Sequence, residues 1–380
     1  MPEDRHSCEL LRAVVRRPVD AGQISLLAGE VENWDSLLGL ANEHRVAPLL
    51  LLRLEETGTA VPESVRAWLR AEYHRNVLHS MANAAELLGV LEAFDREKIP
   101  AMPFKGVVLA ASAYGDLKAR SAGDLDLLIH FRDLARATEM ILARGYKRTT
   151  ETRADGAPVL PDYYECVFER ATDGMVLELR WRLELTQPRF RRDIGMDWVW
   201  PRRRTAMLAG AVVPDMSAET TLLVLCMHGS KHVWSRLLWI CDVARLLDSS
   251  PDLDWNEVIG EARKTGLWRA LALGVLLAHR VAGVGVPEDV MRVFEGDKTS
   301  RRLALHIADN LFDSPGSRPE GRVPYNVQLL GFRDRVRFFV SLDLLRPSAR
   351  DVEALPLPKW LHPLYYLIRP FRVLWDRSAR

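Results

Sequence analysis

Asp124-Leu125-Asp126 is the stretch of this chain best suited to chemistry. Side chains alternate across a strand, so the carboxylates at 124 and 126 share one face while Leu125, Leu127 and Ile129 share the other. Two like charges on one face repel and raise each other's pKa unless a cation lies between them. A hard divalent ion with oxygen ligands fits that role. Upstream, Lys105-Gly106 closes one apolar stretch and opens another with helical spacing. A glycine there lets a phosphate approach the backbone, a helix N-terminus offers free N–H groups, and Lys105 adds a point charge. Arg120 lies shortly before the acidic pair, where it reaches a phosphate or neutralises Asp124. Together these residues read as a metal-dependent phosphate-handling site; the plainer reading is an acidic strand end beside a turn glycine.

Metal-assisted nucleotidyl transfer uses carboxylates that hold two divalent ions about 4 Å apart. Asp124 and Asp126 supply two of them, and the third must come from a neighbouring strand with its acid on the same face. In the segment 175–183, Val176, Glu178, Arg180 and Arg182 share one face, and Leu177, Leu179, Trp181 and Leu183 the other. Glu178 is therefore the candidate third ligand, the alternative being a solvated residue paired with Arg180. Farther on, His228 and His232 are one helical turn apart with Lys231 beside them. That spacing suits zinc, but the glutamate of a His-Glu-x-x-His motif is missing and no third ligand stands out. The other readings are a cluster facing phosphate or acceptor, and buried histidines with hydrogen-bond partners. Asp242 could orient one of these histidines or a nearby arginine, or simply pack within its helix.

These residues need elements to hold them. Residues 1–97 read as helices, ending in a long amphipathic one from about Glu63 to Glu97. From 98 to 188 the pattern becomes α/β: a strand at Ile99–Phe104, a helix at Gly106–Tyr114, a strand at Leu125–Ile129, and a helix at Leu134–Arg144 ended by Gly145. A short strand at Tyr146–Thr150 is followed by a polar loop at 152–162. Arms at Tyr163–Arg170 and Met175–Leu183 then form a hairpin around Asp173-Gly174. After about Pro188 the chain turns helical, with helices over Ser217–Asp248, Trp255–Gly283, Arg301–Phe312 and Leu329–Leu345, and a loop at 313–324. The expected domains are thus an N-terminal helical region (1–97), an α/β core (98–188), a C-terminal helical domain (189–350) and a basic aromatic tail (351–380).

Composition narrows the field. The 380 residues are 48% hydrophobic and 27% charged, with a net charge of +1, so no global basic field calls for nucleic acid. Four scattered cysteines without a Cys-x-x-Cys pair argue against structural zinc and a disulfide framework. The N-terminus lacks a signal-peptide core, and no apolar run is long enough for a transmembrane helix, so a cytoplasmic location is expected. The tail, with aromatics among its arginines, packs on the helical domain or touches a partner protein or membrane surface.

The string PFKGVVLAASAYGDLKARSAGDLDLLI, then RGYKR, VLELRW and LLVLCMHGSKHVWSRLLWICDVARLL, resembles the uncharacterised nucleotidyltransferase family of the polymerase-beta-like nucleotidyltransferase superfamily over roughly residues 30–285. The resemblance implies a small mixed-sheet α/β core flanked by helices, with Asp124, Asp126 and Glu178 binding Mg²⁺, or Mn²⁺ in its place. It further implies transfer of a nucleoside monophosphate from a nucleoside triphosphate to a hydroxyl or amine on a small molecule, peptide or tRNA. Lys105, Gly106, Arg120, Arg180, His228, Lys231 and His232 would bind nucleotide or acceptor. Two features depart from the pattern: Lys105-Gly106 stands where most of the superfamily has Gly-Ser, and Arg180 stands where the family tends to have His. The rival readings are an inactive nucleotide- or partner-binding protein on the same fold, and a metal-dependent glycosyltransferase. The latter would need a nucleotide-binding α/β domain ahead of the acidic pair, where helices are expected instead.

Overall fold

The structure is a computed structural model that describes residues 5–121, 123–149, 164–183, 194–313, 325, 328, 329, 355, 357–366 and 368. The expected loop at 152–162 lies outside the described residues, as do the expected loop at 313–324 apart from Asp313, the expected helix at Leu329–Leu345 apart from Leu329, and most of the tail.

Five strands form one mixed sheet: β1 (Ala101–Pro103), β2 (Leu125–Ile129), β3 (Lys147–Arg148), β4 (Glu165–Arg170) and β5 (Met175–Arg180). Their order is β1-β2-β5-β4-β3, with β2 and β5 parallel and the other neighbours antiparallel. Leu125, Leu127 and Ile129 bury one face of β2 while Leu128 faces a different core, as the alternation demands. The β4–β5 turn falls at Thr172-Asp173-Gly174, where Gly174 takes φ +68°. Arg180 and Glu165 then lie opposite each other across the hairpin.

The helices are α1 (Arg5–Val15), α2 (Ala21–Gly29), α3 (Trp34–Glu43), α4 (Ala47–Glu56), α5 (Glu63–Arg96), α6 (Gly106–Leu109), α7 (Leu134–Ala143), α8 (Met196–Val199), α9 (Ala218–Lys231), α10 (Leu237–Ser249), α11 (Trp255–Thr265), α12 (Trp268–Leu277), α13 (Glu288–Glu295) and α14 (Lys298–Asp309). Two apolar cores organise them. One joins the N-terminal helices to α9–α14; the other lies between the sheet, α7 and the second half of α5. Helix α5 enters both, through Val65 and Leu69 in the first and Ala84, Leu87, Val90 and Phe94 in the second. Its 34 residues reach about 50 Å, enough to bridge them. The fold is the mixed α/β arrangement expected, with a small sheet set among helices.

Three segments differ from their expected structure. Residues expected to turn helical after Pro188 form a hairpin, β6 (Arg203–Leu208) and β7 (Ala211–Met216), around Ala209-Gly210. The single helix expected over Ser217–Asp248 is two, α9 and α10, because the chain reverses at Val233 and Trp234, both at left-handed φ. Trp234 is fully buried and its ring lies against Gly229, where an added Cβ would come within 2.5 Å of it. Burying an indole returns on the order of 2–3 kcal/mol, which offsets much of the roughly 2–4 kcal/mol that two left-handed residues cost together. A similar split separates α11 from α12 at Gly266.

Candidate active site

Asp126 on β2 and Glu178 on β5 are register partners on adjacent parallel strands, and both side chains leave the face opposite the apolar residues. Asp124 stands at the bend just before β2 and lines the same cavity. Lys105 reaches across from the β1–α6 turn, its Nζ 3.2 Å from Asp126 Oδ1 and 3.1 Å from Oδ2. Arg180 binds three acids: its Nε lies 3.3 Å from Asp126 Oδ1, one terminal nitrogen lies 2.7 Å from Glu165 Oε2, and the other donates to Glu178.

The backbone that places Lys105 is strained. Its φ of +58° with ψ of −143° is a region that non-glycine residues enter at a cost of about 1–3 kcal/mol. Gly106 follows at φ +46°, and a Cβ there would sit 3.4 Å from the Asp124 carbonyl. This turn therefore runs close beside the acidic segment and aims the lysine at Asp126.

Burial and neighbouring charge pull the pair of acids apart. Burial would raise the Asp126 pKa, but Lys105 and Arg180 overcome it and hold the carboxyl below its usual range. Glu178 is raised, first by burial and then by the Asp126 charge, against the attraction of Arg180. Burial lowers the Lys105 ammonium more than Asp126 restores it. Arg180, which burial would lower, is held charged by Asp126, Glu165 and Glu178.

The remaining expected residues converge on the same space. A cavity of about 440 Å³ is lined by Lys105, Gly106, Arg120, Asp124, Asp126, Glu178, Arg180, His228, Lys231 and His232. Arg120 does not point at the acidic pair. It is buried and forms a bidentate pair with Asp242, at 2.7 and 2.8 Å, and donates to the Gly106 carbonyl at 3.1 Å. Tyr114 adds a donor to Asp242 at 2.8 Å. The His228 and His232 rings lie 4.8 Å apart with their planes tilted by 58°, each 5.2 Å from the Trp239 ring. Burial keeps both neutral, with His232 lowered to about 4 and His228 well below its ordinary value. Lys231 donates to the Tyr164 hydroxyl.

Asp126 and Glu178 present the oxygen donors that a hard divalent cation takes, and their mutual repulsion is what such a cation relieves. Among the described residues no group of three His, Cys, Asp or Glu side chains is placed to hold a metal, and Lys105 and Arg180 hold the two carboxylates instead.

Several lining residues were not singled out from sequence: Arg45, Glu165, Ser235, Arg236 and Trp239. Glu165 had a usable signal, since the expected hairpin places it opposite Arg180. Arg45, at φ +56° between α3 and α4, had none. The loop before Asp124 is tied to α5, where Asn76 donates to the carbonyls of Lys118 (2.9 Å) and Arg120 (3.4 Å), and Asn83 to that of Gly123 (2.6 Å).

Compared with known proteins, the chain matches the description "Uncharacterised nucleotidyltransferase" over residues 30–283. No curated protein matches it. Among solved structures, the lincosamide antibiotic adenylyltransferase LnuA, bound to lincomycin, aligns at 15% identity and TM-score 0.32, over 43% of this chain and 94% of that one. The antibiotic-resistance factor ANT(2'')-Ia aligns at 14% identity and TM-score 0.30, over 61% of this chain and 98% of that one. The family match spans well over half of the chain and includes the whole acidic face, so this protein belongs to the uncharacterised nucleotidyltransferase family.

Proposed function

We propose that the chain transfers a nucleoside monophosphate from a nucleoside triphosphate to an acceptor hydroxyl, or an amine, on a small molecule, peptide or tRNA. The observation that carries this reading is the register pairing of Asp126 with Glu178 on the floor of a cavity rich in cations. Asp124, Asp126 and Glu178 would hold Mg²⁺ or Mn²⁺, which when bound supplies charge neutralisation for the phosphates. In the transfer, a bond forms from the acceptor oxygen to the α-phosphorus as the bond from that phosphorus to its bridging oxygen breaks. Pyrophosphate leaves with the electron pair and the acceptor proton passes to solvent. Lys105 and Arg180, which now hold the carboxylates, become available to phosphate oxygens when a cation takes their place. Neutral His228 and His232 offer hydrogen bonds without adding charge.

Among the described residues no helix is long and apolar enough to cross a membrane. Among the described residues Cys8, Cys166, Cys226 and Cys241 form no disulfide, which supports a reducing, cytoplasmic setting.

Incubating the protein with each labelled triphosphate, Mg²⁺ and cell extract tests the reading. Label moved by the wild type and not by Asp126→Ala supports it; no transfer with any triphosphate overturns it. A second reading rests on one observation, that Lys105 and Arg180 already neutralise the acids: a nucleotide-binding protein without catalysis. That protein would bind nucleotide equally well in chelator, whereas the transferase would not.

A further inference from the structure

Six lysine or arginine side chains line the cavity: Lys105, Arg120, Arg180, Lys231, Arg45 and Arg236. Four are engaged. Lys105 and Arg180 hold the carboxylates, Arg120 is locked to Asp242, and Lys231 donates to Tyr164. Arg45 and Arg236 are different. Among the described residues neither side chain forms an ion pair or hydrogen bond, and the Arg236 guanidinium lies over the Trp239 ring at 5.4 Å. Desolvation lowers the Arg45 guanidinium and repulsion from Arg236 lowers it further. Asp124 attracts Arg45 without forming an ion pair with it, and Arg45 is solvent-exposed, so the repulsion between the two guanidinium groups is partly screened and an anion between them would relieve the rest.

The fold holds them together deliberately. His44, fully buried beside Arg45, accepts from the Leu237 N–H through Nδ1 at 3.0 Å and from the Leu238 N–H through its carbonyl at 3.2 Å. That clip fastens the α3–α4 connection to the start of α10, one residue from each arginine. Arg45 takes left-handed φ there, and the break between α9 and α10 frees Arg236 from a helix interior. The pair also stands on a border. A neighbouring cavity of about 840 Å³ shares Arg45, Ser121, Gly123, Ser235 and Arg236 with the acidic one.

We propose that Arg45 and Arg236 clamp the β- and γ-phosphates of the triphosphate and the pyrophosphate that leaves, with the larger cavity beside them open to solvent and acceptor. The inference rests on the transferase reading for its ligand and supplies the phosphate grip that the missing Gly-Ser pair leaves unassigned. Guanidinium groups suit it, since each presents a fork of donors to phosphate oxygens.

The test is titration of the full chain with Mg²⁺-tripolyphosphate and Mg²⁺-pyrophosphate, followed by calorimetry, for wild type, Arg45→Gln, Arg236→Gln and Arg45→Lys. Arg75→Gln is the control, because Arg75 lines only the larger cavity and pairs with Glu72. Each Gln variant should weaken binding by about tenfold or more, as expected for a lost charge-assisted hydrogen bond, and should flatten its salt dependence. Arg45→Lys should recover part of the loss, Arg75→Gln should match wild type, and circular dichroism should show every variant folded. Gln variants that bind tripolyphosphate as tightly as wild type overturn the clamp, as does a wild type that does not bind it. If the clamp fails while Asp126→Ala still abolishes transfer, the transferase reading survives. If the clamp holds and no triphosphate is ever used, the clamp survives and the transferase reading falls.

Discussion

Arg120 with Asp242, and Asp126 with Glu178, are two buried charge groups on either side of the Lys105-Gly106 turn. Their side chains are similarly shielded: 7% and 2% exposed in the first group, 10% and 18% in the second. In the first, one cation meets one acid through two parallel hydrogen bonds, and Tyr114 fills a further acceptor site. Burial alone would lower the arginine, yet the aspartate keeps it firmly charged. In the second, three acids and two cations share one face, and burial and mutual repulsion push one acid up while cations hold the other down. The first group has nothing left to bind; the second is arranged so that another cation or a phosphate changes every partner. Similar burial thus gives a closed strut in one place and a cluster of competing charges in the other.

The contrast is sharpest in activity. On the transferase reading Asp126→Ala should lower transfer by about 10⁴-fold, since a metal held there would supply several kcal/mol of barrier lowering. Label-transfer rates at saturating triphosphate measure it, and a loss under tenfold would place the chemistry elsewhere. Asp242→Ala should act on the fold instead, because it strands a buried guanidinium. A loss of about 3–5 kcal/mol is expected in urea unfolding, and the double variant Arg120→Met with Asp242→Ala should recover much of it. A stability change below about 1 kcal/mol would make the strut no stronger than a surface pair.

His228 and His232 give a pH signature. Their folded pKa values are depressed, so the unfolded chain binds more protons wherever the pH lies between the folded value, about 4 for His232, and the ordinary histidine value of 6.5. Stability should be level above that window and fall as the pH drops through it, with His232 contributing on the order of 2 kcal/mol. Unfolding free energy measured from pH 7.5 to 4.5 checks this, and His232→Gln should flatten the curve. The smallest change in stability belongs to Glu178→Gln. It removes a repelled charge while keeping an acceptor for Arg180, so stability should move by less than about 1 kcal/mol while transfer is lost. A large destabilisation would show that Glu178, like Asp242, serves the fold.

Much of this was legible in the chain because the signals were local. Strand β2 has the expected bounds, and the period-2 face of β5 placed Glu178 beside Asp126 before any contact was known. The Asp-Gly turn fixed the hairpin register. What stayed hidden depends on distant contacts. The break at Val233-Trp234 comes from an indole packing on Gly229 and Gly274, which no helical periodicity over Ser217–Asp248 reveals. Arg120 had Asp124 as a near neighbour in sequence, yet its acid lies 122 positions away. Arg45 is joined to Arg236 only through the His44 clip, across 193 positions. The β6–β7 hairpin was missed although Ala209-Gly210 carried a turn signal, because apolar residues around it also suit a helix.

Helix α5 carries a mechanical consequence. One unbroken ladder runs through both apolar cores and pins the segment ahead of Asp124 by its asparagines. A rod of that length resists bending without a proline or an inserted side chain to interrupt it. Swinging one half of the molecule over the other would have to snap it, so motion beside the acidic face falls to side-chain rotation and short connecting segments.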